Sequence, residues 1–337
     1  MEIAILRFRR GVTPSYYLLG GLDRSDMPWE IKLGYVGPPQ YDNLVWQLND
    51  SDYRKISQNK VSEKALLQAL GIPTAKFFGY LDADMGRDFK GRHLRSSCDL
   101  QRLFSTILEE HSCDRVCLKK PEGWNGSGFL TLTIYRDSGE ITALIHQQSG
   151  AKKATIATLY DSLDLSEGYV VEAWINQHPE YAKFHPSSVN CYRVWVVLLA
   201  DGTCEIPIVM LRFGCAGALV DAGVSDRLSV PIEPQTGRRL SAFTPTVERQ
   251  FFTHHPDSGE ELIGEALPYY HEAVDLAIES VRAFPGLRFA GVDVAVSSDG
   301  PMVVELNPKP NELGAARVGV PLSQVFENAL VSDTSGS

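Results

Sequence analysis

Gly291-Val-Asp-Val-Ala-Val-Ser-Ser-Asp-Gly-Pro-Met-Val-Val-Glu-Leu-Asn307 reads as a β-hairpin carrying a cation site. Val292, Val294 and Val296 alternate with Asp293, Ala295 and Ser297, Ser298-Asp-Gly-Pro301 has turn chemistry, and Met302 to Leu306 return as a second apolar strand. Asp293 interrupts the first strand. Glu305 and Asn307 stand two residues apart on the second, so a period of two points both to one face. Oxygen-only ligands suit Mg²⁺, with Mn²⁺ as the alternative, and a hard cation held by few carboxylates completes its shell with water and nucleotide phosphates. An ordinary hairpin with its acids in solvent would show the same three residues, so the rest of the chain has to decide.

The 337 residues allow two or three lobes with a substantial core. An apolar fraction of 44% and a charged fraction of 22% are those of a globular protein, and the formal charge of −10 argues against nucleic acid as a partner. Six cysteines without paired CxxC spacing indicate neither a zinc site nor a disulfide framework, which fits reduced thiols and a cytoplasmic location. The opening Met1-Glu-Ile-Ala-Ile-Leu-Arg-Phe-Arg-Arg10 is a short strand-like run followed by charge, too short for a signal core or a membrane span, so no membrane partner is expected.

Residues 1–55 form a small leading lobe of short apolar runs (Ile3 to Leu6, Tyr16 to Leu19, Leu44 to Leu48), residues 56–172 and 173–330 two further subdomains, and 331–337 a polar, flexible tail. The fold class is α+β. Ser57 to Leu70 has the pattern of a helix ended by Gly71-Ile-Pro73; Lys60 in its first turn, beside the positive end of the dipole, is either solvated or held by an anion. Phe77 to Leu81 reads as a strand and Asp99 to Glu110 as a helix. Val116 to Pro121 is a strand running into Glu122-Gly-Trp-Asn-Gly-Ser-Gly128, whose glycines let backbone N–H groups close around phosphate oxygens; a plain hairpin turn is the alternative. Lys120 or Lys119 just before it supplies the charge a polyphosphate needs. Phe129 to Tyr135 and Glu140 to Gln148 alternate as a hairpin.

Tyr169 to Pro179 is a β-run broken by Glu172, either a hinge whose backbone meets a purine edge or an edge strand with a solvated acid. Val189 to Leu199 and Cys204 to Phe213 are strands with one arginine each, Arg193 and Arg212, and an arginine in so apolar a strand pairs with a carboxylate or a phosphate.

A lysine at a helix start, Lys-Pro before a glycine loop, a glutamate-bearing hinge, two strand arginines and an Asp…Glu-x-Asn hairpin, in that order, resemble the ATP-grasp superfamily over nearly the whole chain. The chain is most similar to the sugar-transfer-associated ATP-grasp family, through Ser187-Ser-Val-Asn-Cys-Tyr-Arg193, His255-Pro-Asp-Ser-Gly259, Gly291 to Val296 and Val304-Glu-Leu-Asn307. The resemblance implies a fold in which a small N-terminal lobe is followed by two α+β subdomains clamping ATP. It implies that Lys60 and Lys120 contact ATP phosphates and that Gly126, Ser127 and Gly128 belong to a loop closing over them. Glu172 and the backbone at Ala173 and Ile175 would meet the adenine, with Glu180, or else His178, on the ribose. Arg193 and Arg212 resemble the paired arginines of the α-L-glutamate ligases, and Asp293, Glu305 and Asn307 match the metal ligands. D-alanine–D-alanine-ligase-like enzymes place an arginine two residues before the metal aspartate. Here Gly291 stands there, which leaves Arg193, Arg212 or Arg317 for the tetrahedral intermediate. Lys309 is either a substrate-carboxylate contact or part of a surface turn.

The resemblance thus implies a Mg²⁺-dependent, ADP-forming ligase that activates a small-molecule carboxylate as an acyl phosphate and passes it to an amine. A kinase acting on a small-molecule or sugar hydroxyl would use the same phosphate apparatus, and a nucleotide-binding protein without turnover is the third reading. The segments His146 to Asp161, with Lys152, Lys153 and Thr155, and Asp221 to Arg227 are candidate substrate walls or plain surface loops.

Overall fold

The apolar runs at the start of the chain fold as helices. The computed structural model describes residues 1–331 except 124–125, 149, 217, 220–226 and 247–248, so the tail from residue 332 on lies outside the described residues. In it α1 spans Glu2–Arg10, α2 Pro14–Leu19, α3 Trp29–Leu33, α4 Pro38–Leu48 and α5 Arg54–Gln58. The strand expected at Ile3 to Leu6 is therefore corrected to a helix. So short an apolar run has no period of its own to separate the two, and here Leu6 alone is buried while Gly11, left-handed at φ 65°, closes the helix. α6 (Lys60–Ala69) is set off from α5 by Asn59, whose side-chain oxygen accepts from the amides of Val61 and Ser62.

The first sheet holds β1 (Phe77–Leu81), β2 (Arg87–Asp88), β3 (Arg115–Lys119), β4 (Leu130–Asp137), β5 (Glu140–Gln147), β6 (Gly150–Thr155) and β7 (Tyr169–Ala173), in the order β2-β1-β7-β3-β4-β5-β6 and antiparallel throughout. α7 (Ser97–Glu110) and α8 (Ile156–Asp161) cover one face, where Leu100, Phe104 and Ile107 pack against Val116, Leu118 and Leu132. Strand alternation then turns Cys117, Lys119 and Glu172 to the other face.

α9 (Pro179–Ala182) leads to the second sheet, β8 (Cys191–Leu198), β9 (Cys204–Gly214), β10 (Arg227–Ile232), β11 (Ala242–Phe243), β12 (Phe251–Phe252), β13 (Phe289–Ser297) and β14 (Gly300–Asn307), ordered β12-β11-β10-β9-β8-β13-β14. α10 (Tyr270–Arg282) covers one face through Ala273, Ala277 and Val281. α11 (Leu313–Arg317) and α12 (Ser323–Val331) end the described chain. On the opposite face, α4 and α12 pack on Trp195, Val197, Ile208 and Phe289 at one end, and Ile175, Cys191 and Ala295 cluster at the other. The polar residues of the middle of that face are left to a cleft between the sheets. The chain crosses from one sheet to the other along the hairpin: Val303 donates to Pro73 at 2.8 Å, and His178 to Val296 at 2.7 Å.

One buried side chain ties the leading helices to the hairpin. Asn49, 2% exposed, donates to the carbonyls of Phe289 (2.8 Å) and Pro308 (2.7 Å) and accepts from the amides of Arg288 (3.0 Å) and Phe289 (2.9 Å). All four hydrogen-bonding positions of the amide are used, and alanine would orphan four backbone groups at the foot of β13 and just past β14. Since each orphan costs about 1–3 kcal/mol, Asn49→Ala should lose roughly 3 kcal/mol or more in urea unfolding. An unchanged midpoint would show the clamp to be idle.

Candidate active site

Arg193 on β8 lies directly opposite Asp293 on β13, and Asp293 opposite Glu305 on β14. Arg193 donates to both Asp293 oxygens, with Nη2 2.7 Å from Oδ2, and Arg212 adds Nη2 at 2.7 Å to the same oxygen. Burial works to raise the Asp293 carboxyl, but the two guanidiniums outweigh it and hold it below the usual carboxylate range. A register shift after Asp293 resets the pairing between the hairpin strands, and Glu305 and Asn307 face the cleft with their side chains in contact at 3.3 Å. Gly291, where the resemblance set an arginine, is crowded by its neighbours. A Cβ there would lie 3.0 Å from Arg193 Cδ and from Pro310 Cβ, so the stem of Arg193 fills that space from the neighbouring strand.

The donor set fits a hard divalent cation. Glu305 and Asn307 offer oxygens to the cleft, and Asp293, with three of its roughly four lone-pair sites taken by arginine, keeps one on Oδ1.

Across the cleft, Lys60 opens α6 with its Nζ 3.2 Å from the Gly123 carbonyl and 3.5 Å from Glu305 Oε2, so it touches both the glycine loop and the hairpin. Lys120 lies just past the end of β3, donates to the Asp164 carbonyl and sits 4.4 Å from the centroid of the Tyr169 ring. The loop is wrapped on its stem: Gly128 has φ 69°, and a Cβ there would come within 2.8 Å of Lys120 Cγ. Gly126 and Ser127 line the cleft; Trp124 and Asn125 lie outside the described residues.

Alternation from Lys120 places Lys119 on the opposite face. That expectation is corrected. β3 ends at Lys119, and Val116 and Leu118 point into the core, so Cys117 and Lys119 are the residues that face the cleft. Glu172 is no solvated acid: it is buried on a central strand, ion-paired to Lys119 and 3.9 Å from Lys64. Burial raises its carboxyl, but Lys119 and then Lys64 hold it below the usual range. Lys64, wholly buried, donates to Thr74 (2.7 Å), Val304 (2.7 Å) and Val303 (3.2 Å). Glu63, also buried, accepts the Leu306 amide at 2.9 Å, between Glu305 and Asn307. Sequence reading passed over both; the only signal was two adjacent charges inside a helix that must pack.

Ala173 and Ile175 line the cleft, but Glu180 does not, which corrects its placement on the ribose. His178 accepts the Glu180 amide at 3.1 Å and starts α9 with Pro179, and this turn carries Glu180 out to Lys183 at 2.8 Å. His178 is likewise absent from the cleft lining. Lys309 lines the cleft and pairs with Asp42 at 3.1 Å. No described residue of 146–161 reaches the cleft, and of 221–227 only Arg227 is described. His255 acts as a clamp: Nε2 meets the Gly214 carbonyl at 2.9 Å and Nδ1 accepts the Asp257 amide at 3.2 Å.

Residues 40–321 match the family described as sugar-transfer associated ATP-grasp. No curated protein matches the sequence. Among solved structures the chain is similar in outline to N5-carboxyaminoimidazole synthetase from Staphylococcus aureus (11% identity, TM-score 0.44, 84% of this chain and 52% of that one). It is also similar to D-alanine–D-alanine ligase from Bacillus anthracis (13%, 0.42, 84% and 70%). A third is L-amino acid ligase from Bacillus licheniformis (10%, 0.43, 92% and 51%). The chain thus spans about half the length of the first and third of these.

Two predictions follow from the lysines and the buried acids. Lys119→Met strands the Glu172 carboxylate and should cost about 3–5 kcal/mol in urea unfolding. Lys120→Met should change stability by less than about 1 kcal/mol while weakening nucleotide binding at least roughly tenfold in a direct titration. Equal stability losses would put Lys120 inside the buried network as well.

Burial pushes the Glu63 carboxyl up from 4.5 to about 7, against Lys64 and the Leu306 amide. A raised carboxyl pKa means that the folded state keeps a proton the unfolded state has lost. Its contribution is therefore full below 4.5 and is lost as pH rises through about 7. Glu63→Gln, which keeps an acceptor for Leu306, should make the unfolding midpoint of the metal-free protein fall less between about pH 5 and 8. An unaltered slope would show Glu63 to be ionised across that range.

Proposed function

We propose that this chain, which belongs to the sugar-transfer-associated ATP-grasp family, is an ATP-dependent carboxylate–amine ligase working through an acyl phosphate with release of ADP and phosphate. The observation that carries this reading is one cleft of about 890 Å³, with Lys60, Lys119, Lys120 and the glycine loop on one wall and Asp293, Arg193, Arg212, Glu305 and Asn307 on the other. Phosphoryl transfer asks a protein mainly for positioning and charge neutralisation, and these walls supply both without a nucleophilic side chain.

In this reading ATP lies with its adenine against Ala173 and Ile175 and its phosphates under Gly126 to Gly128, between Lys60 and Lys120. Glu305, Asn307 and the remaining site on Asp293 would hold Mg²⁺, which when bound neutralises charge on the phosphate oxygens. A carboxylate oxygen of the acid attacks the γ-phosphorus in line and the bond to the β-phosphate oxygen breaks, giving ADP and an acyl phosphate. The amine then attacks the acyl carbon, phosphate leaves, and the amine proton is lost. Arg193 and Arg212, locked in place by Asp293, face the charge that builds at both stages, and the glycine loop excludes the water that would hydrolyse the intermediate.

Hydroxylamine with ATP should trap a hydroxamate from the true acid, and ADP should form slowly without it. A stable phosphorylated alcohol, with no hydroxamate from any acid, would favour a kinase. Glu305→Gln should abolish metal-dependent turnover at unchanged stability. Asp293→Asn is a poorer probe, because it also leaves two largely buried guanidiniums without this carboxylate.

A further inference from the structure

The cleft continues past the arginines to an end lined by Trp195, Met210, Phe243 and Arg317, away from the residues assigned above to nucleotide and cation. Along β8 the residues facing the cleft run Cys191, Arg193, Trp195, and across the sheet the floor passes from Glu305 through Arg193 and Met210 to Phe243. α11 roofs the Trp195 end: a Cβ on Gly314 would lie 3.2 Å from the Trp195 ring. Arg317, three residues on and so on the same side of that helix, lines the cleft with Gly314.

Arg317 makes no ion pair there among the described residues. Its Nε is buried with no hydrogen-bond partner. The neighbouring cation makes this worse. Arg249 donates to the Arg317 carbonyl at 3.2 Å and to the Leu19 carbonyl at 3.0 Å, lies 5.6 Å from the Phe243 ring centroid, feels the charge of Asp23, and makes no ion pair among the described residues. Burial and then Arg249 push the Arg317 guanidinium below its ordinary value. A half-buried guanidinium beside a second one, unneutralised, is costly unless a ligand supplies the anion.

We infer that Arg317, backed by Arg249, forms a second anion subsite at the far end of the cleft, so that the acid or the amine bound there carries a carboxylate, phosphate or sulfate remote from its reacting atoms. The description of the ligand as acid or amine rests on the ligase reading; the subsite rests on the arginines alone. Trp195, Met210 and Phe243 give the body of that ligand an apolar wall. Because the contact to Arg249 is made by the Arg317 backbone, substitutions at 317 leave it in place.

The test separates the two claims. Inorganic sulfate is titrated into the full chain loaded with Mg²⁺ and a non-hydrolysable ATP analogue, so that the phosphate sites are filled, and binding is followed by calorimetry and by the thermal midpoint. Saturable binding is expected in the wild type, weakened roughly tenfold or more in Arg317→Ala, partly kept in Arg317→Lys, and unchanged in the surface control Lys153→Ala. Absence of saturable binding in the wild type, or equal binding in folded Arg317→Ala, would overturn the subsite even if hydroxamates form. Hydroxylamine trapping over matched mono- and dicarboxylic acids, and coupling to amines with and without a second acidic group, then shows which substrate carries the anion. A preference for the extra acidic group that Arg317→Ala removes supports the inference. A preference that Arg317→Ala leaves intact overturns it. If no acid yields a hydroxamate, the ligase reading fails while the sulfate result stands by itself.

Discussion

Lys64 is the constraint around which the two sheets are arranged. It lies wholly buried where α6, the linker before β1, the hinge strand β7 and the hairpin meet, with its three donors on Thr74, Val303 and Val304 and Glu172 3.9 Å away. Removing an ammonium ion from water costs several kcal/mol, and only well-placed acceptors offset it. Here two of the acceptors are hairpin carbonyls, so the charge is satisfied only when α6 and β14 are in register. Glu63 makes the same demand from the adjacent position through the Leu306 amide. Two consecutive helix residues thus fix the height of Glu305 and Asn307, and through Glu172 and Lys119 they reach the floor of the other sheet.

The second fixed point is Asp293. One carboxylate holds two guanidiniums on the floor of the cleft. Its burial, with arginines from two neighbouring strands bonded to it, sets their direction before any ligand arrives. For chemistry that builds negative charge, preoriented cations are worth more than mobile ones, because no reorganisation is needed during the reaction. Arg193 is held over Gly291 by the same contact, which explains how the strand dispenses with an arginine of its own there.

The elements with a strong period were legible from sequence alone. The hairpin at 291–307, the Phe77 to Leu81 strand and the paired strands after the glycine loop stand where alternation puts them. The leading segment was not legible, since its runs are too short to show a period and their helices are decided by packing, α4 on Trp195 and Phe289, α1 and α2 with Tyr35 and Ala316. Lys119 was misplaced because the strand ends one residue earlier than the Lys-Pro pair suggests, and past that end alternation no longer applies. Glu180 was misplaced because a single turn begun by His178 and Pro179 reverses the chain, a local event that distance along the sequence does not encode. Lys64 and Glu63 carry no motif. Their importance is a property of burial, which one sequence does not display.

Five cations of the cleft fall into two groups that behave differently. Lys60 and Lys120 rest on backbone carbonyls, of Gly123 and Asp164, with a carboxylate 3.5 and 3.6 Å away. A phosphate accepts a stronger, charge-assisted bond than a carbonyl, so an arriving polyphosphate can exchange these partners at little cost and draw the lysine heads and the glycine loop with them. Lys119, Arg193 and Arg212 are held on buried carboxylates and have no such freedom, because leaving would strand Glu172 or Asp293. On the ligase reading proposed above, the exchangeable group would serve capture and closure, and the fixed group the reaction that follows. In a chain with a formal charge of −10, concentrating both in one cleft also draws anions to that surface in preference to the rest.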